Sequence, residues 1–261
     1  MKTLKLSTIT IALALFCVFS CKKDSSTSSS ATTVTTDDAA DVAAGALSEN
    51  SNGLASVTDD ISSNAAVVAS IGSGQTINSA GVTSEHQACG TTVADSASNS
   101  GSADSVTWNY FRKYTHTLNC NASNQPDNIV NTLVYSGNYS GPRISSNNSG
   151  TANVTIAGLT TNATNYVLNG EYKRTGSFTN KVSNKAFSSN IDIVGTNILL
   201  SKPGRKIIGG TATISISGTT PKGTFSYTGT ITFNADSTAT LVITGGGTYT
   251  IDLHTGFKVK H

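Results

Sequence analysis

The stretch VTWNYFRKYTHTLNC, Val106 to Cys120, decides the class of fold. In an extended chain Val106, Trp108, Tyr110, Arg112, Tyr114, His116, Leu118 and Cys120 share one face, and Thr107, Asn109, Phe111, Lys113, Thr115 and Thr117 the other. The same two-residue period returns downstream in Ala212-Ile214-Ile216, in Phe225-Tyr227-Gly229-Ile231-Phe233, in Leu241-Ile243 and in Tyr249-Ile251-Leu253, mostly alternating with Thr or Ser. Short turn sequences separate these runs, among them Pro203-Gly204, Pro221-Lys222-Gly223, Asn234-Ala235-Asp236-Ser237 and Gly245-Gly246-Gly247. About ten strands joined in this way predict a mainly β fold, an antiparallel meander forming a sandwich or barrel-like sheet. Thr, Ser and Lys on the strand faces exclude a lipid-facing barrel, which needs an apolar outer band and aromatic girdles.

Composition agrees with this reading. Charged residues are 12% of the 261, while Thr, Ser and Asn together supply 98, so the chain takes its polarity from hydroxyls and amides. With four His, one Met and no block of like charge, a nucleic-acid binder, a helical bundle and a multi-span membrane protein are all excluded.

Only residues 36 to 71 carry helical signals. Thr36 is placed to cap a first helix, with Asp37, Asp38 and Asp41 near its positive end and a thin stripe of Ala39, Val42, Ala43, Ala46 and Leu47 before Asn50-Ser51-Asn52-Gly53. Leu54, Val57, Ile61, Ala65, Val68 and Ile71 repeat every three or four residues and predict a second. The expected product is a small N-terminal helical hairpin seated on the sheet. Charge divides along the chain: residues 22 to 104 hold two basic and ten acidic residues, net −8, and residues 105 to 261 hold thirteen basic and five acidic, net +8. Such a division arises when solvated charges merely fall unevenly, when the acidic segment packs against the basic one, or when the basic domain faces an anionic glycan or lipopolysaccharide.

The N-terminus carries an address. Lys2 and Lys5 precede the apolar run Thr8 to Phe19, which is shorter than the ~20 apolar residues of a membrane span. Val18-Phe19-Ser20-Cys21 resembles a bacterial lipobox, and the Ser-Cys-Lys-Lys-Asp junction with an Asn/Thr-rich β body behind it resembles outer-membrane lipoproteins of Bacteroidota. The resemblance implies cleavage before Cys21, acylation of that residue, and a lipid bilayer as the first partner. The chain then divides into a signal peptide (1–20), a flexible Ser/Thr-rich tether (21–35), an acidic helical and loop segment packed on the sheet (36–104) and an antiparallel β domain (105–261).

Once Cys17 is removed and Cys21 lipidated, Cys89 and Cys120 are left to pair in an oxidising compartment. The rival use of these thiols is a zinc site with His86 and His116, at a spacing that matches no recognised finger. Glu171 and Asp192 are a nominal glycosidase pair, and no nucleophile elbow accompanies any Ser, so no catalytic residue, metal or cofactor is assigned. Trp108, Tyr110, Arg112 and Tyr114, together on one strand face, form the candidate ligand site, set against an aromatic core around one satisfied Arg. The expectation is an envelope lipoprotein acting as a structural or partner-binding module, with glycan binding and then hydrolysis as the alternatives.

Overall fold

The computed structural model describes residues 34–71, 88–103 and 105–261; the expected signal peptide, Cys21, nearly all of the expected tether and His86 lie outside them. Helices α1 (Thr36–Leu47) and α2 (Leu54–Ile71) precede eleven strands: β1 (Thr92–Ala103), β2 (Val106–Cys120), β3 (Pro126–Ser140), β4 (Ile144–Ala157), β5 (Asn165–Asn180), β6 (Lys185–Ser201), β7 (Ile207–Thr220), β8 (Gly223–Phe233), β9 (Thr238–Ile243), β10 (Thr248–Asp252) and β11 (Lys258–Lys260). All eleven form one antiparallel sheet in sequence order, a pure meander. Its terminal strands do not pair with each other, so the sheet is not closed into a barrel.

The sheet curls around the helices. α1 packs against β5 and β6 in the middle of the sheet and against β9, β10 and β11 at its end, while α2 packs against β3 and β4. Within α1 every residue from Asp38 to Leu47 is buried, so the helix is enclosed around its circumference rather than seated on one apolar stripe. Its Ala and Gly content makes that possible: a thin helix lets the sheet approach closely, and a Cβ on Gly45 would already stand 3.0 Å from the Ile144 side chain. The core on the concave face includes Ile129, Ile156, Leu168, Ile193, Leu200 and Ile251.

Two boundaries move from their expected places. Thr35, not Thr36, is the N-cap of α1: its hydroxyl accepts from the Asp38 amide and its own amide donates back to the Asp38 carboxylate, a full capping box. Since Val34 is also buried, the tether ends before it. The sheet begins at Thr92, inside the segment expected to be helix and loop. β1 pairs with β2 along its whole length, and from Thr92 to Ser102 every residue but Gly101 is exposed, so no apolar alternation is needed to hold it.

Aromatic rings on the concave face lie over glycines of the neighbouring strand. Trp108 is paired with Gly101, Tyr110 with Gly137, Tyr135 with Gly150 and Phe225 with Gly218, and in each case a Cβ on the glycine would run into the ring. The small partner leaves room for the ring to fold flat over the next strand.

The opposed charges of the two segments meet inside the molecule. All six acids of the helical segment pair with cations of the sheet: Asp37 with Lys260, Asp38 with Lys185, Asp41 with Arg143 and Lys258, Glu49 with Lys206 and His254, Asp59 with Arg205, and Asp60 with Arg112. The −8/+8 division thus corresponds to an internal interface, and it removes most of the free positive charge that an anionic surface would require. Asp41–Lys258 is buried on both sides and Asp38–Lys185 nearly so, and there loss of one partner is most costly. The half-exposed pairs contribute little.

Candidate functional site

Of the four residues grouped on the first long strand, three are turned to the helices. Arg112 is buried, donating from Nε to Asn52 Oδ1 at 2.6 Å and from Nη2 to Ser56 Oγ at 2.6 Å while pairing with Asp60. The Tyr110 hydroxyl donates to the Asn50 carbonyl at 3.1 Å, and Tyr114 packs partly buried against the core. From β5 the Tyr172 hydroxyl donates to the Asn52 carbonyl, and buried Arg174 reaches the carbonyls of Gly45 and Ser51. Two arginines and two tyrosines of the sheet therefore clamp the turn between α1 and α2. That is the satisfied arginine in an aromatic core, the alternative weighed against a ligand site, and it engages Tyr110 and Arg112 with the helical segment.

Trp108 has a different setting. It lines a cleft of about 780 Å³ where the two ends of the curled sheet approach each other across α1. The floor is Asp41, Gly45 and Ser48 of α1 with Asn50; one wall is Val106, Trp108, Tyr139, Ile144 and the β3–β4 turn at Pro142 and Arg143; the other is the β10–β11 turn, His254 to Phe257. The turn wall is fixed to the floor through the backbone, with the amides of Glu49 and Asn50 donating to the carbonyls of Leu253 and His254. Gly256 (φ +74°) permits the close approach, because a Cβ there would lie 2.9 Å from Ser48 Oγ.

Its lining is mostly apolar with a few placed polar groups, the usual make-up of a small-molecule site. Trp108 is held by its Nε1–H bond to Asn99 Oδ1 at 3.1 Å and by the space above Gly101. Tyr139 is buried, and burial pushes its hydroxyl pKa up, so it stays neutral. Phe257 is an exposed ring at the rim. Arg143 donates from Nη2 to Asp41 Oδ1 at 3.1 Å, while its Nε is buried without a partner. Glu49 bridges Lys206 at 2.6 Å and His254 at 2.7 Å. Burial alone would push the Glu49 carboxyl up, but the bonds from Lys206 and His254 outweigh it and hold the carboxyl below its ordinary range.

Asp41, Tyr139, Arg143 and Phe257 carried no sequence signal as a group, because three separate parts of the chain supply them: α1, the β3–β4 hairpin and the β10–β11 turn. Glu171 and Asp192 do converge, around Lys173 Nζ at 2.7 and 3.9 Å on the outer face of β5 and β6. Lys173 and Asp192 are direct cross-strand partners, for which charge pairing is the ordinary outcome. Burial, and then the charge of Glu171, raise the Asp192 carboxyl.

Cys89 and Cys120 are joined in a disulfide, their Cα atoms 5.6 Å apart. The thiols expected in the rival zinc site are thus engaged with each other. The bond closes the open end of the β1–β2 hairpin and so backs the strand on which Trp108 rests. The Cys89→Ser/Cys120→Ser protein is expected to lose about 3.5 kcal/mol of stability on the loop-closure argument. The first signs should be faster amide exchange along Thr92–Ala103 and red-shifted Trp108 emission. Exchange unchanged along β1 would show that the disulfide does not hold the edge. No protein-family model, curated protein or solved structure matches this chain.

Proposed function

We propose that the chain is a lipid-anchored protein of the bacterial outer membrane, held through acylated Cys21, whose β domain presents the cleft beside Trp108 as a binding site. The lipobox-like junction supports the anchor; no helix among the described residues is long and apolar enough to cross a membrane. One observation carries the binding reading: the chain's single tryptophan stands with Tyr139 and Phe257 over a floor locked by buried ion pairs and backbone bonds. A preformed site of this kind binds without ordering itself first. Rings beside hydroxyl, amide and charged groups suit a saccharide.

Intact mass of the full-length protein extracted from membranes without reductant, native and then denatured, tests the reading. The expected result is a chain beginning at acylated Cys21 and a ligand mass that is lost on denaturation and absent from Trp108→Ala. An unacylated start, or a ligand retained equally by Trp108→Ala, overturns it.

A second reading, binding of an envelope protein, is favoured by β1. It is the terminal strand of the sheet, and its twelve residues contain no Pro or Lys, the features that usually blunt an edge. A partner strand could add there.

A further inference from the structure

Charge around the cleft is not balanced, and the imbalance names a ligand class. Asp41 serves two cations, Arg143 at 3.1 Å and Lys258 at 3.4 Å, and also accepts from Asn180 at 2.7 Å. Adding the neighbouring Asp37 and Lys260, which pair with each other, gives three cations against two carboxylates; Asp252, bonded to His254 and Thr255 of the β10–β11 turn, and Lys181, bonded to Ser140 and Gly141 at the β3–β4 turn, offset each other. On the opposite wall Glu49 is matched by Lys206, with His254 able only to add positive charge. The surplus is one positive charge, and the cation lining the cleft is Arg143, whose guanidinium holds a buried, unpartnered Nε–H.

We infer that the cleft selects a carboxylate-bearing saccharide, a uronic-acid type of sugar, and that Arg143 is the residue that reads its charge. The inference rests on the cleft being the binding site. A guanidinium that has spent Nη2 on Asp41 still has donors left for a second carboxylate, and charge-assisted bonds of this kind are the strong ones. One added carboxylate balances one surplus cation, whereas a phosphate dianion overshoots it. The apolar faces of Trp108, Tyr139 and Phe257 can meet the C–H face of a pyranose, and Asn50 stands where a sugar hydroxyl would need a partner. An acyl chain would desolvate the half-exposed Arg143 guanidinium without compensation.

Calorimetric titration of the full-length protein in mild detergent, with tetragalacturonate and with neutral maltotetraose, tests this. Wild type is expected to bind the acidic tetramer about ten- to hundredfold more tightly than the neutral one. Arg143→Gln should lose that preference, the two tetramers then binding alike, with an unchanged near-ultraviolet circular dichroism spectrum showing that the variant is folded; Arg143→Lys should keep part of it. If both tetramers bind alike and Arg143→Gln changes neither, the charge inference is overturned while the cleft remains a site. If neither binds, the saccharide class itself is overturned, and the ligand-mass comparison with Trp108→Ala separately decides whether the cleft is occupied at all.

Discussion

Asp38→Ala is expected to cost about 4 kcal/mol of unfolding free energy, read as a fall in the denaturant midpoint. One carboxylate here collects five donors. Oδ2 accepts from the amide and hydroxyl of Thr35, both at 2.8 Å, and from Lys185 Nζ at 2.6 Å; Oδ1 accepts from Ser183 Oγ at 2.8 Å and Asn180 Nδ2 at 3.1 Å. Its removal opens the capping box and leaves the largely buried Lys185 ammonium without its carboxylate. A cost under about 1 kcal/mol would mean that water or a shifted Asp41 replaces it.

The same carboxylate makes stability depend on pH. Burial pushes its pKa up, but the bonds from Lys185, Thr35 and Ser183 outweigh burial and hold it below its ordinary range. A carboxyl depressed in the folded state contributes fully above its unfolded pKa and loses that contribution as pH falls through the folded one. Asp37, bonded by Tyr249 and Lys260, and Glu49 are shifted in the same direction. Stability should therefore decline on acidification below about pH 4, and the decline should be shallower in Asp38→Ala.

Gly150→Val is the second large effect, expected at about 3 kcal/mol. Gly150 faces Tyr135 across the β3–β4 ladder, and any Cβ there would collide with the Tyr135 hydroxyl and the Lys173 carbonyl. That hydroxyl donates to the same carbonyl at 2.9 Å, and its ring stacks on Tyr172 with centroids 5.5 Å apart. Tyr172 in turn holds the α1–α2 turn, so the collision reaches the clamp. Gly209→Ala is the control: its Cβ would meet Leu199 at an ordinary 3.4 Å, and it should be neutral or gain up to about 1 kcal/mol. Equal melting curves for the two variants would refute the ring-on-glycine packing.

How far this could be read in advance followed the range of the interactions. β2 runs over the same Val106–Cys120 that its alternation indicated, because one face is turned to the core and the other to water. The turns at Pro203-Gly204, Asn234–Ser237 and Gly245–Gly247 announce themselves through local chemistry. The charge count held the helix–sheet interface without its pairings, since a sum carries no positions. β1 left no trace because a strand exposed on both faces needs no period, and its Ser-, Ala- and Asn-rich sequence resembles a linker. The cleft was invisible for a topological reason: Trp108, Arg143 and Phe257 come together only after the sheet has curled around α1.

The enclosure of α1 also constrains the order of events as the chain folds. The earliest helix is secured by the latest residues: Asp37 accepts from Tyr249 and Lys260, more than 210 positions away, and Tyr227 bonds the Val34 carbonyl. An Ala-rich helix of twelve residues has little stability alone. Helix α1 must therefore wait, unfolded or loosely helical, until β8 to β11 have emerged, and closure between α1 and those strands becomes the slow step. A chain truncated after β8 would keep most of its sheet ladder yet lose the strands that seal the helix.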